Sequence, residues 1–206
     1  MGILVFLLVI AIVLFGFYVN KKKLAIDESQ LDDDLQSSLG IDYRKLRNLL
    51  ASGSFKEANL ETKGIFGKFI TGKYEIIYGD LKDHSHKIEV IPSKDLLTIN
   101  NLWFKYSNGL YAFSVQCAIF HEIYNRLMEE NVRNNFHMTN VEIKRKTWTS
   151  FRKEVGWQDS DSRDSILILN KKGHFPNVFG RVSSIGGLQS MVTLFNRIKE
   201  LFVDDD

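Results

Sequence analysis

Residues 102–116 read LWFKYSNGLYAFSVQ, and the fold turns on how they are read. Five aromatic side chains, Trp103, Phe104, Tyr106, Tyr111 and Phe113, crowd around a Ser107-Asn108-Gly109 turn, with no metal ligand, general base or activated nucleophile beside them. The stretch joins two helices. Ser93 is placed to cap the one that runs through Trp103, and Val115, Ala118, Ile119, Ile123 and Leu127 form the apolar stripe of the one that follows. Aromatics so arranged either pack a core or wall a pocket for something flat and apolar.

Working outward, the same helical spacing recurs. Tyr43, Leu46, Leu49 and Leu50 mark a helix that Ser52-Gly53-Ser54 ends, and Phe55, Ala58 and Leu60 begin its partner, a helical hairpin. Residues 73–92 change character: two short β-prone runs flank a Gly-Asp turn region, which predicts a small hairpin or an irregular excursion. Residues 129–146 are polar and basic and read as a surface loop or helix extension. A short helix is expected from Thr149 to Val155, then a loop rich in Asp and Ser. The final helix carries Leu188, Met191, Phe195, Ile198 and Leu201 on one stripe. No internal repeat is present, and the class is all-α.

Ahead of this lies a different kind of sequence. Ile3 to Val19 hold no charge and would form a helix about 25 Å long, close to the thickness of a hydrocarbon core. A basic n-region and a small-x-small cleavage site are both missing, so residues 1–23 read as a retained transmembrane anchor, not a cleaved signal. Lys21, Lys22 and Lys23 then place the rest of the chain in the cytosol or stroma. Residues 24–40 have five acidic groups and no basic one, and read as a solvated linker; a metal site at Asp32, Asp33 and Asp34 is the minor alternative. Residues 41–203 form the working domain.

Composition removes several function classes. With 27 basic and 25 acidic side chains spread along 206 residues, there is no basic face of the kind nucleic acid requires. The single cysteine, Cys117, excludes an intrachain disulfide and a cysteine zinc cage, and suits a reducing compartment. Gly67 to Tyr74, GKFITGKY, imitates a phosphate loop but ends in Tyr where Ser or Thr must hold magnesium. His84 and His86 lack a third ligand, His121 reads as a helix-surface residue, and no nucleophile elbow orders a triad. The residues do not support an enzyme.

Three pieces in order carry a resemblance: DLLTINNLWFKYSNGLYAFSVQCAIF at 95–120, W-x-x-F-x-x-x-VGW at 148–157, and KKGHFPNVFG at 171–180. Together with DYRKLRNLLASGSFKEANLET at 42–62, they make the chain resemble the genomes-uncoupled-four family. These are porphyrin-binding proteins of cyanobacteria and plastids that stimulate magnesium chelatase. The resemblance implies an all-α, cupped-hand domain whose palm holds protoporphyrin IX or magnesium-protoporphyrin IX, with the porphyrin-binding subunit of magnesium chelatase as partner and a thylakoid or plastid membrane as location. A porphyrin is an apolar disc with two propionates on one edge, so its site needs aromatic and aliphatic walls with a few cations at the rim. Water on the magnesium would make a protein metal ligand unnecessary.

On that basis Phe151, Val155, Trp157, Phe175 and Phe179 are candidate walls and Arg181 a propionate partner, with Trp103 or Tyr106 lining the palm. Trp103, Tyr106, Phe113 and Gln116 have the alternative role of holding the fold. The interval QDSDSRDSILILNKK, residues 158–172, has no aromatic where the family usually carries a tryptophan. That departure motivates a rival expectation: a membrane-anchored interaction module that keeps the fold and no longer binds pigment.

Overall fold

The structure, a computed structural model of the chain, describes residues 32–73, 85–157, 170–178 and 185–203. Among the described residues there are helices and turns and no strand. The helices are α1 (Arg44–Ala51), α2 (Phe55–Thr71), α3 (Ser85–Glu89), α4 (Ser93–Tyr106), α5 (Phe113–Arg133), α6 (Asn140–Glu154) and α7 (Ile185–Val203). The chain divides into Met1–Asp32 and Asp33–Asp206, and the second unit holds the core. The expected anchor, residues 1–23, falls outside the described residues, and none of the described helices is long and apolar enough to cross a membrane.

α1 and α2 form the expected helical hairpin, with α4 against α1. α5 lies against both α6 and α7, and α3 is held between α2 and α7. The core fills the space between them, from Leu46 and Leu50 through Leu96, Ile99 and Trp103 to Met191, Leu194 and Phe195. The last helix buries Leu188, Met191, Phe195 and Ile198 as its spacing predicts, with Leu194 added.

The opening stretch resolves into a clasped turn. Ser107 Oγ accepts from the Tyr111 N–H at 2.8 Å and donates to the Tyr111 carbonyl at 3.1 Å. Asn108 and Gly109 both take left-handed backbone, φ 52 and 75°, which glycine tolerates freely and asparagine better than most residues. Sequence Ser-Asn-Gly is thus the chemistry that this reversal requires. No local side chain caps α5; Asn100, buried on α4, reaches across so that its Oδ1 accepts from the Ser114 N–H at 2.9 Å.

Several elements differ from the sequence expectation, each for a physical reason. Ser93 is already inside α4, with Pro92 before it and no side-chain cap; its hydroxyl accepts instead from Arg197 at 3.2 Å. The second β-prone run forms the short helix α3, because Arg197 of α7 donates to the carbonyls of Ile88 at 3.0 Å, Glu89 at 2.7 Å, and Ile91. The first run, residues 74–84, lies outside the described residues. α6 begins nine residues before Thr149, at Asn140. A reciprocal capping box starts it: Thr139 Oγ1 accepts from the Glu142 N–H and the Glu142 carboxylate from the Thr139 N–H. α5 buries Phe113, Val115, Gln116, Cys117, Phe120 and Ile123, so the expected Val115 and Ile123 are covered, while Ala118 is turned to solvent and Leu60 of α2 is also exposed.

The acidic segment expected to be a solvated linker is fastened down from Asp33 onward. Asp33 pairs with Lys105 at 2.7 Å and accepts from the Tyr106 hydroxyl at 2.5 Å. Asp95, fully buried near the start of α4, accepts from the Ser38 N–H at 2.9 Å, the Tyr43 hydroxyl at 2.7 Å, and Ser37. Burial, reinforced by the Asp95 carboxylate, raises the Tyr43 phenol far above its ordinary pKa, so it donates at every working pH. GKFITGKY fails as a phosphate loop for a plain reason: Gly67 to Thr71 continue α2, which ends at the left-handed Gly72.

Candidate functional site

The segment Lys171–Val178 has no helix or strand of its own and is held in place by α5, α6 and α2. Gly173 takes φ +74°, and its N–H donates to the Leu110 carbonyl at 2.8 Å. A Cβ there would meet Ile119 Cδ1 at 2.9 Å and Val155 Cγ1 at 3.1 Å, so only glycine lets the segment lie this close. The Gln116 amide, wholly buried, donates to the carbonyls of Gly173 at 2.9 Å and Pro176 at 2.8 Å. Trp157 Nε1 donates to the His174 carbonyl at 2.8 Å, and His174 Nδ1 donates to the Val155 carbonyl at 2.7 Å. Burial pulls the His174 imidazole below its usual range; the bond to Val155 opposes this and the Lys171 charge adds to it. From α2, Asn59 Oδ1 accepts from the Asn177 N–H at 2.7 Å.

Two aromatic groups stand on either side of this segment. In the first, Trp103 stacks between Phe55 and Phe175 at 6.2 and 5.8 Å while Tyr111 meets all three edge-on. Trp103 has no exposed surface, and its Nε1 donates to Thr62 Oγ1 at 3.0 Å. In the second, Phe151 stacks on Trp148 at 5.7 Å and takes Trp157, Phe195 and Phe120 on its edges. Of the sequence-expected wall residues, Phe175 belongs to the segment, Val155 and Trp157 adjoin it, and Phe151 packs against Trp157; all four are buried. Tyr106 sits apart, on Asp33. Phe179 and Arg181 lie outside the described residues.

Against the outer side of that segment, between α5, the end of α6 and the Lys171–Lys172 turn, opens a cleft of about 390 Å³. Ile119 and Ile123 supply its apolar surface, Arg126, Lys171 and Lys172 its cations, and Glu122 and Glu154 its acids. Lys171 Nζ donates to the Lys153 carbonyl at 3.1 Å, satisfying the end of α6. Two apolar side chains beside three cations and two acids make a mainly polar cleft with an excess of positive charge, which suits a ligand bearing carboxylates. The three cations were missed in the sequence although their signals were present: Lys171-Lys172 stands directly before GHFP, and Arg126 follows Ile119 and Ile123 at helical spacing.

A second, smaller hollow of about 290 Å³ lies between α5 and α7, lined in part by His121, Ile198, Lys199 and Phe202. His121 is only half surface: its Nε2 is buried without a partner, and burial together with Lys199 lowers its pKa. Cys117, beside it, donates to the Phe195 carbonyl at 3.3 Å, and burial pushes its thiol up to about 11, so it is no nucleophile at neutral pH. Among the described residues no three His, Cys, Asp or Glu side chains gather in a way that could hold a metal ion.

A helical scaffold thus fixes a mainly polar cleft, three cations to two acids, against an aromatic core, and its described residues gather no metal-holding cluster. The profile of the GUN4-like family matches residues 36–181; the chain belongs to this family of non-catalytic, tetrapyrrole-binding regulators. It is 28% identical over 141 residues to a Ycf53-like protein of Synechocystis, a match that takes in 66% of this chain and 55% of that relative's length. A solved structure of GUN4 from Chlamydomonas reinhardtii superposes with a TM-score of 0.53 at 26% identity, over 80% of this chain and 95% of that one.

Proposed function

We propose that the domain binds protoporphyrin IX or magnesium-protoporphyrin IX in the cleft beside Lys171–Lys172, and that it regulates magnesium chelatase through the porphyrin-binding subunit. The observation that carries this reading is the cleft itself: Ile119 and Ile123 with Arg126, Lys171 and Lys172, three cations that outnumber the two acids Glu122 and Glu154. At about 390 Å³ it falls within the ordinary range for small-molecule sites, about 300 to 1,000 Å³. Phe151, Val155, Trp157 and Phe175 back the segment that forms one wall. Phe179 and Arg181 follow it directly in sequence, and Arg181 is kept as a further propionate partner. Trp103 and Tyr106 hold the frame. The magnesium form needs no protein ligand to its metal. Residues 1–23 anchor the chain in a thylakoid or plastid membrane, with the domain on the cytosolic or stromal side.

Titration of a chain beginning at Asp33 with either porphyrin, followed by tryptophan quenching and the Soret band, tests the reading. Saturable binding at micromolar ligand is expected, and its absence would overturn it. One observation favours a second reading, in which the fold serves only as a membrane-bound interaction module. Phe151, Val155, Trp157 and Phe175 are packed against one another and their neighbours, with almost no surface left for a ligand. A partner captured equally well by the native chain and by Arg126→Ala with Lys172→Ala, with no pigment bound to either, would support that alternative.

A further inference from the structure

Where α5 turns back into α6, the chain places apolar side chains in water. Val132 in the last turn of α5 is 73% exposed, Phe136 in the turn 53%, and Val141 in the first turn of α6 59%. Neither helix has a use for them in the core. α6 buries Ile143, Thr147, Trp148 and Phe151, and α5 buries the Phe113 to Ile123 stripe, faces from which Val141 and Val132 are turned away. The turn is nonetheless well built. Phe136 N–H donates to the Asn131 carbonyl at 3.0 Å, Met138 N–H to Asn131 Oδ1 at 3.1 Å, and Asn135 takes left-handed backbone. An open depression lined by Met128, Glu129, Val132 and Arg133, its exposed surface largely apolar, adjoins it.

Cations surround these side chains. Arg133, Lys144, Arg145 and Lys146 are all exposed, and none of the four makes an ion pair with a described residue. Of the acids nearby, Glu142 is committed to the capping box, while Glu129 and Glu130 stand a turn back along α5. Isolated apolar side chains at the end of a hairpin, ringed by long cationic ones, do not make the well-packed central pocket of a protein interface. They match a bilayer surface, where apolar side chains enter the headgroup boundary and Lys and Arg meet anionic lipids. The same chain carries Ile3–Val19 followed by three lysines, a sequence that itself calls for a bilayer nearby.

We propose that the α5–α6 turn is a lipid-contact surface, in which Phe136, Val132 and Val141 enter an anionic membrane and Arg133, Lys144, Arg145 and Lys146 bind its headgroups. This contact depends neither on porphyrin nor on residues 1–23. The unit from Asp33 onward has its own core, so it can be tested alone, its folding checked by circular dichroism. Vesicle sedimentation should show binding to phosphatidylcholine containing about one third phosphatidylglycerol and little to phosphatidylcholine alone, with release at high salt. Phe136→Asp, and separately Lys144→Glu with Arg145→Glu, should each lower partition about tenfold. A Phe136→Trp reporter should shift its emission to the blue on anionic vesicles. No binding to anionic vesicles, or undiminished binding of Phe136→Asp, would overturn the proposal. So would self-association that Phe136→Asp abolishes in the absence of vesicle binding, which would assign the face to a second copy of the chain. Phe136→Asp should titrate with porphyrin as the native domain does, so either reading can fail without the other.

Discussion

Over its first three turns α5 buries Phe113, Gln116, Cys117 and Phe120; over its last three it turns Asn125, Arg126, Glu129, Val132 and Arg133 to solvent. In the first half the buried side chains of Gln116 and Cys117 are both bonded, and His121 Nε2 alone is buried without a partner. The Gln116 amide donates both its protons to the carbonyls of the Gly173–Pro176 segment, and the Cys117 thiol reaches Phe195. In the second half the cations face a cleft or open water. Helices in proteins owe most of their stability to the packing of one face, so the first half holds α5 in place and leaves the second half free for binding. One helix thus serves as scaffold and borders the proposed site, and substitutions in the two halves should fail in different ways.

Phe151→Ala should break the scaffold side most severely. Its ring has no exposed surface and touches four aromatic neighbours, three of them beyond its own helix, so truncation should cost about 3 to 5 kcal/mol in chemical denaturation. Glu129→Ala, on the open half of α5, should stay within about 0.5 kcal/mol. Comparable losses at the two positions would end the distinction between halves.

Gly173→Ala sharpens the comparison where scaffold and site meet. The new methyl combines a left-handed backbone with contacts under 3.2 Å to Ile119 and Val155, and a loss of about 2 to 3 kcal/mol is expected. Adding Ile119→Ala should return part of that loss, because one of the two clashing side chains is then gone. If the double variant is no better than the sum of its parts, the close approach is not what fixes the segment.

Those two positions also show what the sequence made legible. Phe151 and Gly173 both belong to motifs that the family resemblance singled out, and the helical spacing of the final helix located Leu188, Met191, Phe195 and Ile198 of its buried stripe, with Leu201 only half-buried. Elements set by distant partners were not legible. Nothing local announces that Asn100 caps α5, that Arg197 holds the carbonyls around α3, or that Asp33 is fastened to Lys105 and Tyr106, since the first reaches across an intervening turn and the others join distant parts of the chain. The start of α6 was a different kind of miss. Thr139-Asn140-Val141-Glu142 spells a capping box, and the polar run around it masked the signal. At the cleft, aromatic residues drew attention as walls, while the cations that border it, Arg126, Lys171 and Lys172, looked like ordinary surface charge.

The cations give the binding-side counterpart. Arg126→Ala with Lys172→Ala should leave the denaturation midpoint unchanged and weaken protoporphyrin IX about tenfold, roughly what two partly solvated charge contacts contribute. Protoporphyrin dimethyl ester, without carboxylates, should bind the native and double-variant domains alike. Equal loss for acid and ester would mean that the rim shapes the cleft and does not read the propionates.

The smallest effect expected is a pH dependence, and it again separates the covered region from the open one. Burial lowers the pKa of His174 within the pinned segment and of His121 beside α7, each from an ordinary 6.5. A base with a depressed folded pKa binds fewer protons folded than unfolded, so stability rises with pH across that interval. Above the ordinary value both states are neutral and the curve is flat; as pH falls below 6.5, the unfolded chain takes up protons first and stability is lost. The carboxylate of Asp42, held down to about 2 by its bonds from Arg44, acts only at far lower pH and leaves this window to the histidines. Urea midpoints should therefore fall as the buffer goes from about pH 7.5 to about 5.5, and more gently in His174→Gln. A midpoint that holds or climbs on acidification would show that the His174 ring is wet, and that the segment it anchors is no more enclosed than the cleft beside it.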